Sequence, residues 1–242
     1  MRGERSVLVL GAHSAHMGSL ADRARDLGYR TVRVKTPEEA IDLARERNLV
    51  YGVGLIEPEG LAFNLNEALD AVRHHSNSPH MSYIATGPAP EAAERTILRD
   101  AGVERALWSP VEDHALRFQL NAELSAAYEE CLRYETRAPI DARAIVRAGG
   151  RTKQASVYSL SVGGAFLETP RPSMPGAQVE IAILTAGAEL SLTARVLYTN
   201  VPGNLSQICL PLGMAVRFEE MRRSTSDAIR QIVESSATSL AV

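Results

Sequence analysis

Leu132-Arg133-Tyr134-Glu135-Thr136-Arg137-Ala138-Pro139-Ile140 is the stretch on which the fold of this chain turns. Ahead of it Leu116, Leu120, Leu124, Ala127/Tyr128 and Cys131/Leu132 recur at helical spacing, beyond the point where the preceding unit needs a helix. At Ala138-Pro139 that spacing fails, because proline fixes its own φ, removes a backbone donor and pushes its neighbour toward extended conformations. Two different kinds of sequence meet here, so two domains are expected, joined by a helical connector over residues 123–137.

On the amino-terminal side short apolar runs alternate with helical segments. Residues 7–10, 31–34, 50–56, 81–86 and 105–108 read as strands; residues 19–27, 37–48, 66–75 and 90–101 and a segment from about Val111 read as helices. Thr36-Pro37-Glu38-Glu39 has the make-up of a helix start, with a capping hydroxyl, proline in the first position and acids in the first turn. Five short apolar strands separated by helices predict a doubly wound parallel sheet, an α/β unit over residues 1–122 with any site at the carboxyl ends of the strands.

Beyond Pro139 the pattern is all-β. Strand-like stretches at 140–146, 155–159, 165–168, 179–184, 190–198 and 214–218 are broken by Gly149-Gly150, Gly163-Gly164, Pro172 to Gly176, Gly187 and Pro202-Gly203. Six short strands with such turns predict an antiparallel barrel over 138–242. A closing helix is expected at 224–233, capped by Ser224 or Thr225 and with Asp227 near its amino end.

Composition narrows the function classes. The 242 residues are 45% hydrophobic and 23% charged, ordinary for a globular protein. Cys131 and Cys209 provide no disulfide framework. The net charge of -3 hides an asymmetry: residues 1–130 carry 14 Lys+Arg against 20 Asp+Glu, and residues 131–242 carry 12 against 9. Only Lys35 and Lys153 are lysines, so arginine must do any anion recognition. The run after Arg2 and Arg5 is too short for a signal peptide, and the uncharged run 196–216 is broken by Asn200, Pro202, Asn204, Gln207 and Pro211; a cytoplasmic protein without membrane insertion is expected. A basic half of only +3, with no recognition-helix motif, gives no reason to expect nucleic-acid binding. The six histidines all precede residue 115, and His74, His75 and His80 surround a Ser/Asn-rich loop without metal-ligand spacing, so solvated loop histidines and no metal are expected. Gly52-x-Gly54 lies inside a strand and lacks the third glycine of a dinucleotide loop.

Over residues 5 to about 122 the order and lengths of the elements resemble the receiver domain of bacterial response regulators. The resemblance implies an acidic metal-binding pair after strand one, a phosphate-accepting aspartate after strand three, Thr or Ser after strand four and a lysine after strand five. Those positions hold Gly11 and Ala12, Glu57, Thr86 and Ser109, and only Thr86 fits. Metal and lysine neutralise charge on the phosphoryl oxygens, so without them no phosphorylation is expected. The unit is read as a pseudo-receiver offering a surface to an unidentified protein partner. Glu57 is read as a solvated acid ahead of Pro58 in preference to a carboxylate that imitates a phosphorylated aspartate.

Arg133 and Arg137, four apart, and Ser159-Leu160-Ser161-Val162-Gly163-Gly164 resemble, in order and spacing, the RxxxR and [D/N]xSxGG signature of the PilZ domain, the bacterial receptor for cyclic di-GMP. Pro139-Ile140 and Gly213 to Phe218 fit the same family, and the resemblance covers about residues 130–236. It implies a site for cyclic di-GMP made of Arg133, Arg137, Ser159, Ser161, Gly163 and Gly164; the sequence offers no nucleophile–base pair or metal cluster, so no catalytic residue and no other cofactor are expected. Guanidinium forks suit phosphate oxygens and guanine edges, and glycine lets backbone amides come close. Ser159 replaces the family's Asp or Asn with a shorter, single-contact side chain. The expected function is therefore a cyclic di-GMP effector acting in motility or surface behaviour through protein contacts; the alternative is a ligand-independent two-domain scaffold. The connecting helix either packs within the chain or pairs with a second copy as a homodimer.

Overall fold

In the computed structural model of the chain, residues 5–11, 14–58, 64–126, 135–185, 187, 189–203 and 209–242 are described. The chain divides into two compact units, Met1–Cys131 with Leu240–Val242, and Leu132–Ser239.

The first unit alternates β1 (Ser6–Leu10), α1 (Ala15–Asp26), β2 (Thr31–Val34), α2 (Pro37–Arg47), β3 (Tyr51–Ile56), α3 (Leu65–His75), β4 (Ser82–Gly87), α4 (Ala92–Asp100), β5 (Arg105–Trp108) and α5 (Asp113–Ala126). The strands form one parallel sheet in the order β2-β1-β3-β4-β5. Every residue of β1 and β3 is buried, as a sheet covered on both faces requires. This is the receiver-like α/β fold expected from the alternation. Thr36 caps α2 with its hydroxyl accepting from Glu39 N at 3.3 Å, Pro37 opens the helix, and Glu39 Oε2 accepts from Lys35 N at 2.7 Å. The backbone amides at this helix start, and then the Thr36 hydroxyl, hold the Glu38 carboxyl below its ordinary value. Helix α1 begins four residues before the expected position because Ser14 caps it, its hydroxyl accepting from Met17 N at 3.1 Å. Residues 240–242 join this unit: Arg105 and Ala241 form an antiparallel bridge on the open edge of β5, with Ala106 N donating to Leu240 O at 2.9 Å.

The second unit consists of β6 (Ala138–Ala148), β7 (Arg151–Ser161), β8 (Gly164–Glu168), β9 (Gln178–Leu184), β10 (Glu189–Asn200), β11 (Gly213–Phe218) and α6 (Arg223–Ser239). The strands close into an antiparallel barrel in the order β10-β11-β8-β7-β6-β9. Its interior is filled by alternate residues such as Val146, Val157, Leu160, Leu167, Ile181, Leu192, Val196, Met214 and Val216, and Ile229 and Val233 of α6 join them. All six expected strands are present, each longer than its apolar run by one to several residues at the ends. Helix α6 starts at Arg223, before the expected Ser224 or Thr225 cap, and runs six residues past Val233, with Ser236 Oγ donating to Pro139 O at 2.8 Å. The helical continuation expected over residues 127–132 lies outside the described residues. Among the described residues no helix is long and apolar enough to cross a membrane.

Candidate ligand site on the barrel

The β7–β8 hairpin builds the site. Ser161 pairs with Gly164 across a two-residue turn, Val162-Gly163, and Ser159 pairs with Phe166. A bulge at Tyr158, between Val157 and Ser159, turns the strand so that Leu160 faces the barrel core. Ser159 and Ser161 therefore face outward, yet are only 2% and 3% exposed. Ser161 Oγ donates to Gly164 O at 3.3 Å. A Cβ on Gly164 would overlap the Val216 carbonyl oxygen, so glycine is what permits β8 and β11 to pair at this point.

Register extends the outward face across four strands. Gly164 pairs with Arg217, and Arg217 with Arg195; one row over, Phe166 pairs with Ala215, and Ala215 with Tyr198. On the other side Ala138 pairs with Leu160, so Arg137, the next residue, follows beside Ser161. The row Arg137, Ser161, Gly164, Arg217, Arg195 thus carries three arginines around the hairpin. Arg195 is held by Glu219 at 2.9 Å and by the Gly176 carbonyl at 3.3 Å. The Arg217 side chain is exposed and makes no ion pair or hydrogen bond to any described residue, although it stands opposite Arg195 and like charges placed so repel. The adjoining row ends in aromatic surface: Phe166 meets Tyr158 edge-on at 5.8 Å and Tyr198 at 6.4 Å, and Tyr198 is 40% exposed.

Of the expected site residues, Arg137, Ser159, Ser161, Gly163 and Gly164 are brought onto one face; Arg133 lies outside the described residues. Two residues of this face escaped the sequence reading. Arg217 is some fifty positions from the hairpin, and only barrel closure brings it opposite Gly164. Glu135 stands inside the RxxxR motif, and its Oε2 accepts from the Gly163 amide at 2.8 Å. A groove of about 500 Å³ lined by Arg147, Arg151, Gln178 and Thr193 lies at the β6–β7 turn and contains none of the signature residues.

In the first unit the carboxyl ends of the strands gather the receiver positions. Gly11, buried at the end of β1, offers no carboxylate, and Ala12 lies outside the described residues. Thr86 is fully buried and shares a hydrogen bond of 3.1 Å with His16 Nε2. Glu57 sits beside Gly87, where a Cβ would lie 3.7 Å from its Cγ. Ser109, exposed, donates its amide to Gly87 O at 2.7 Å and brings no cation. Two of the histidines expected in a loop belong instead to the last turn of α3: His74 Nδ1 lies 2.8 Å from Asp70 O, and His75 ends the helix. Among the described residues no group of three or more His, Cys, Asp or Glu side chains is placed to hold a metal ion.

A known family matches within the second unit. Residues 132–235 match the family model of the PilZ domain. Among solved structures, the PilZ domain of YcgR from Escherichia coli, determined with c-di-GMP, is 17% identical and covers 45% of this chain and 93% of its own, with a TM-score of 0.36. A CheY-like receiver domain protein from Methanospirillum hungatei is 16% identical and covers 52% of this chain and 97% of its own, with a TM-score of 0.43. The inhibitor of motility MotI/DgrA from Bacillus subtilis is 13% identical over 45% of this chain, with a TM-score of 0.38, and the chain spans about half, 52%, of its length. No curated protein matches the chain at a significant level. The β7–β8 signature and the six-stranded barrel fall within the segment, residues 132–235, that matches the PilZ domain model, and in this chain that segment follows a receiver-like α/β unit.

Proposed function

We propose that the barrel unit binds cyclic di-GMP and that the chain acts as a signalling effector, not as an enzyme. The observation that carries this reading is the outward row Arg137, Ser161, Gly164, Arg217, set beside the Gly163 amide in a PilZ domain. Cyclic di-GMP is a compact dianion with two guanines. Arg137 and Arg133, with Arg217 from the far strand, supply guanidinium forks for phosphate oxygens and O6/N7 edges. Glycine at 163 leaves room for an anion at its amide, and glycine at 164 lets β8 pair with β11 beside it. Ser159 takes the position where the family has Asp or Asn, and a single short hydroxyl there costs about 1–3 kcal/mol of affinity relative to a fully matched guanine edge.

The receiver-like unit has a different task in this proposal. With glycine at one acidic position, serine at the lysine position and the Thr86 hydroxyl already engaged by His16, it is not phosphorylated and serves as a contact surface for a protein partner. The effector works in the cytoplasm, in control of motility or surface behaviour.

Calorimetric titration of the full chain with cyclic di-GMP tests the reading. Wild type binds, and Arg137→Ala loses about 1.5–3 kcal/mol, the value of a hydrogen bond to a charged group, or about a tenfold to hundredfold rise in Kd. Absence of binding at high micromolar ligand, or an unchanged Kd after Arg137→Ala, overturns it. Absence of binding would favour the ligand-independent scaffold, for which Ser159 is the specific observation.

A further inference from the structure

Glu135 is the acid between the two signature arginines, and its carboxylate is already bound to the hairpin that the ligand needs. Its Oε2 lies 2.8 Å from Gly163 N, and a Cβ on Gly163 would come within 2.7 Å of Oε2 and 3.0 Å of Oε1. The absent side chain at 163 therefore makes room for a carboxylate in this structure, at the amide expected to meet a phosphate oxygen. A carboxylate on a backbone amide forms the same charge-assisted contact as a phosphate on that amide. The neighbouring peptide is tied to the barrel: Gly163 O accepts from Phe218 N at 2.9 Å, which holds the turn beside the amide that Glu135 meets.

We propose that Glu135 is a resident anion of this site, a latch that holds the Gly163 amide until a ligand phosphate replaces it. The proposal rests on the cyclic di-GMP reading above and adds to it a mechanism for regulation. Ligand entry is then an exchange of one anion for another. The same exchange raises the ligand concentration needed for occupancy, because the site must first give up an internal contact. It also discriminates against weak anions, which offer the amide no more than the carboxylate does.

The test compares the full-length wild type with Glu135→Gln and Glu135→Ala by calorimetric titration with cyclic di-GMP, each variant first checked for an unchanged circular dichroism spectrum. Glu135 is exposed, so neither change opens a core cavity. Because a net hydrogen bond of ordinary strength is lost from the unliganded state, Glu135→Ala should bind about threefold to tenfold tighter than wild type, with Glu135→Gln between them. Arg137→Ala should weaken binding in both backgrounds. Equal or weaker binding by both variants, with wild type binding, overturns the latch and leaves the cyclic di-GMP reading standing. If neither wild type nor the variants bind, the cyclic di-GMP reading fails and the latch fails with it.

Discussion

Gly164→Ala is a single-methyl change whose consequence follows from strand geometry. The new Cβ overlaps the Val216 carbonyl oxygen and stands 3.3 Å from its carbon and 3.4 Å from Arg217 Cα. All three neighbours are backbone, so no side chain can swing aside. Strands β8 and β11 must separate where Gly164 pairs with Arg217, and the Phe218 N to Gly163 O bond of 2.9 Å next to it is lost or stretched. One or two weakened ladder bonds at about 0.5–1.5 kcal/mol each, with overpacking strain of about 1–3 kcal/mol, oppose a gain of about 0.4–1 kcal/mol from stiffening the unfolded chain. The φ at Gly164 is not in the left-handed region, so alanine meets no dihedral penalty to add. A net destabilisation of about 0.5–5.5 kcal/mol is expected from these figures. Urea unfolding of the full chain, followed through near-UV dichroism of the barrel tyrosines, should show the midpoint shifted down. Fluorescence of Trp108, the single tryptophan and a residue of β5, reads the α/β unit alongside it. A Gly164→Ala chain whose barrel transition is unmoved or shifted upward would refute the assigned register between β8 and β11.

Two other perturbations test separate parts of the molecule. Arg217→Ala should raise the Kd for cyclic di-GMP about tenfold while changing stability by no more than about 0.5 kcal/mol, since Arg217 is exposed and its loss relieves repulsion with Arg195; an unchanged Kd removes it from the site. The α/β unit should weaken in alkali. Burial pushes the Tyr51 phenol from its ordinary 10.0 up to about 12, and raises that of Tyr83 as well, their hydroxyls donating to Ala40 O at 2.9 Å and Leu69 O at 3.0 Å. The folded state keeps protons that the unfolded chain releases, so this contribution is complete below about pH 10 and disappears as pH rises toward about 12. The urea midpoint read by Trp108 should fall across that range, less steeply in Tyr51→Phe, and a midpoint independent of pH there would contradict the assignment.

The elements that the sequence made legible are those whose signal is local. Thr31 to Val34 and Arg105 to Trp108 coincide with β2 and β5 because short apolar runs between turn residues leave no other choice. Thr36-Pro37-Glu38-Glu39 starts α2 because the cap needs only residues within one turn. The end of α6 was illegible for the opposite reason: Ser235, Ser236, Thr238 and Ser239 show no apolar period, and what supports them includes the contact of Ser236 with Pro139, 97 residues away. The site divides in the same way. The serines and glycines of the hairpin could be named from one hexapeptide, whereas Arg217 depends on which strand closes the barrel. Glu135 stands between the two signature arginines, and nothing in the spacing shows that its carboxylate reaches a backbone amide 28 residues on.

The bridge between Arg105 and Ala241 bears on how the α/β unit meets other chains. A parallel sheet ends in two edges, and each unpaired edge is a template for a strand from another molecule. On the β5 side the Ala106 amide is taken by Leu240 O, the Glu104 carbonyl accepts from Val242 N at 3.3 Å, and Arg99 Nε secures Val242 O at 2.9 Å. That edge has no free ladder to offer at these positions, so a strand added there must first displace residues 240–242. A partner approaching from the β5 side must recognise side chains, such as Ile97 on α4 and Arg95 lying over Trp108, and not bare backbone.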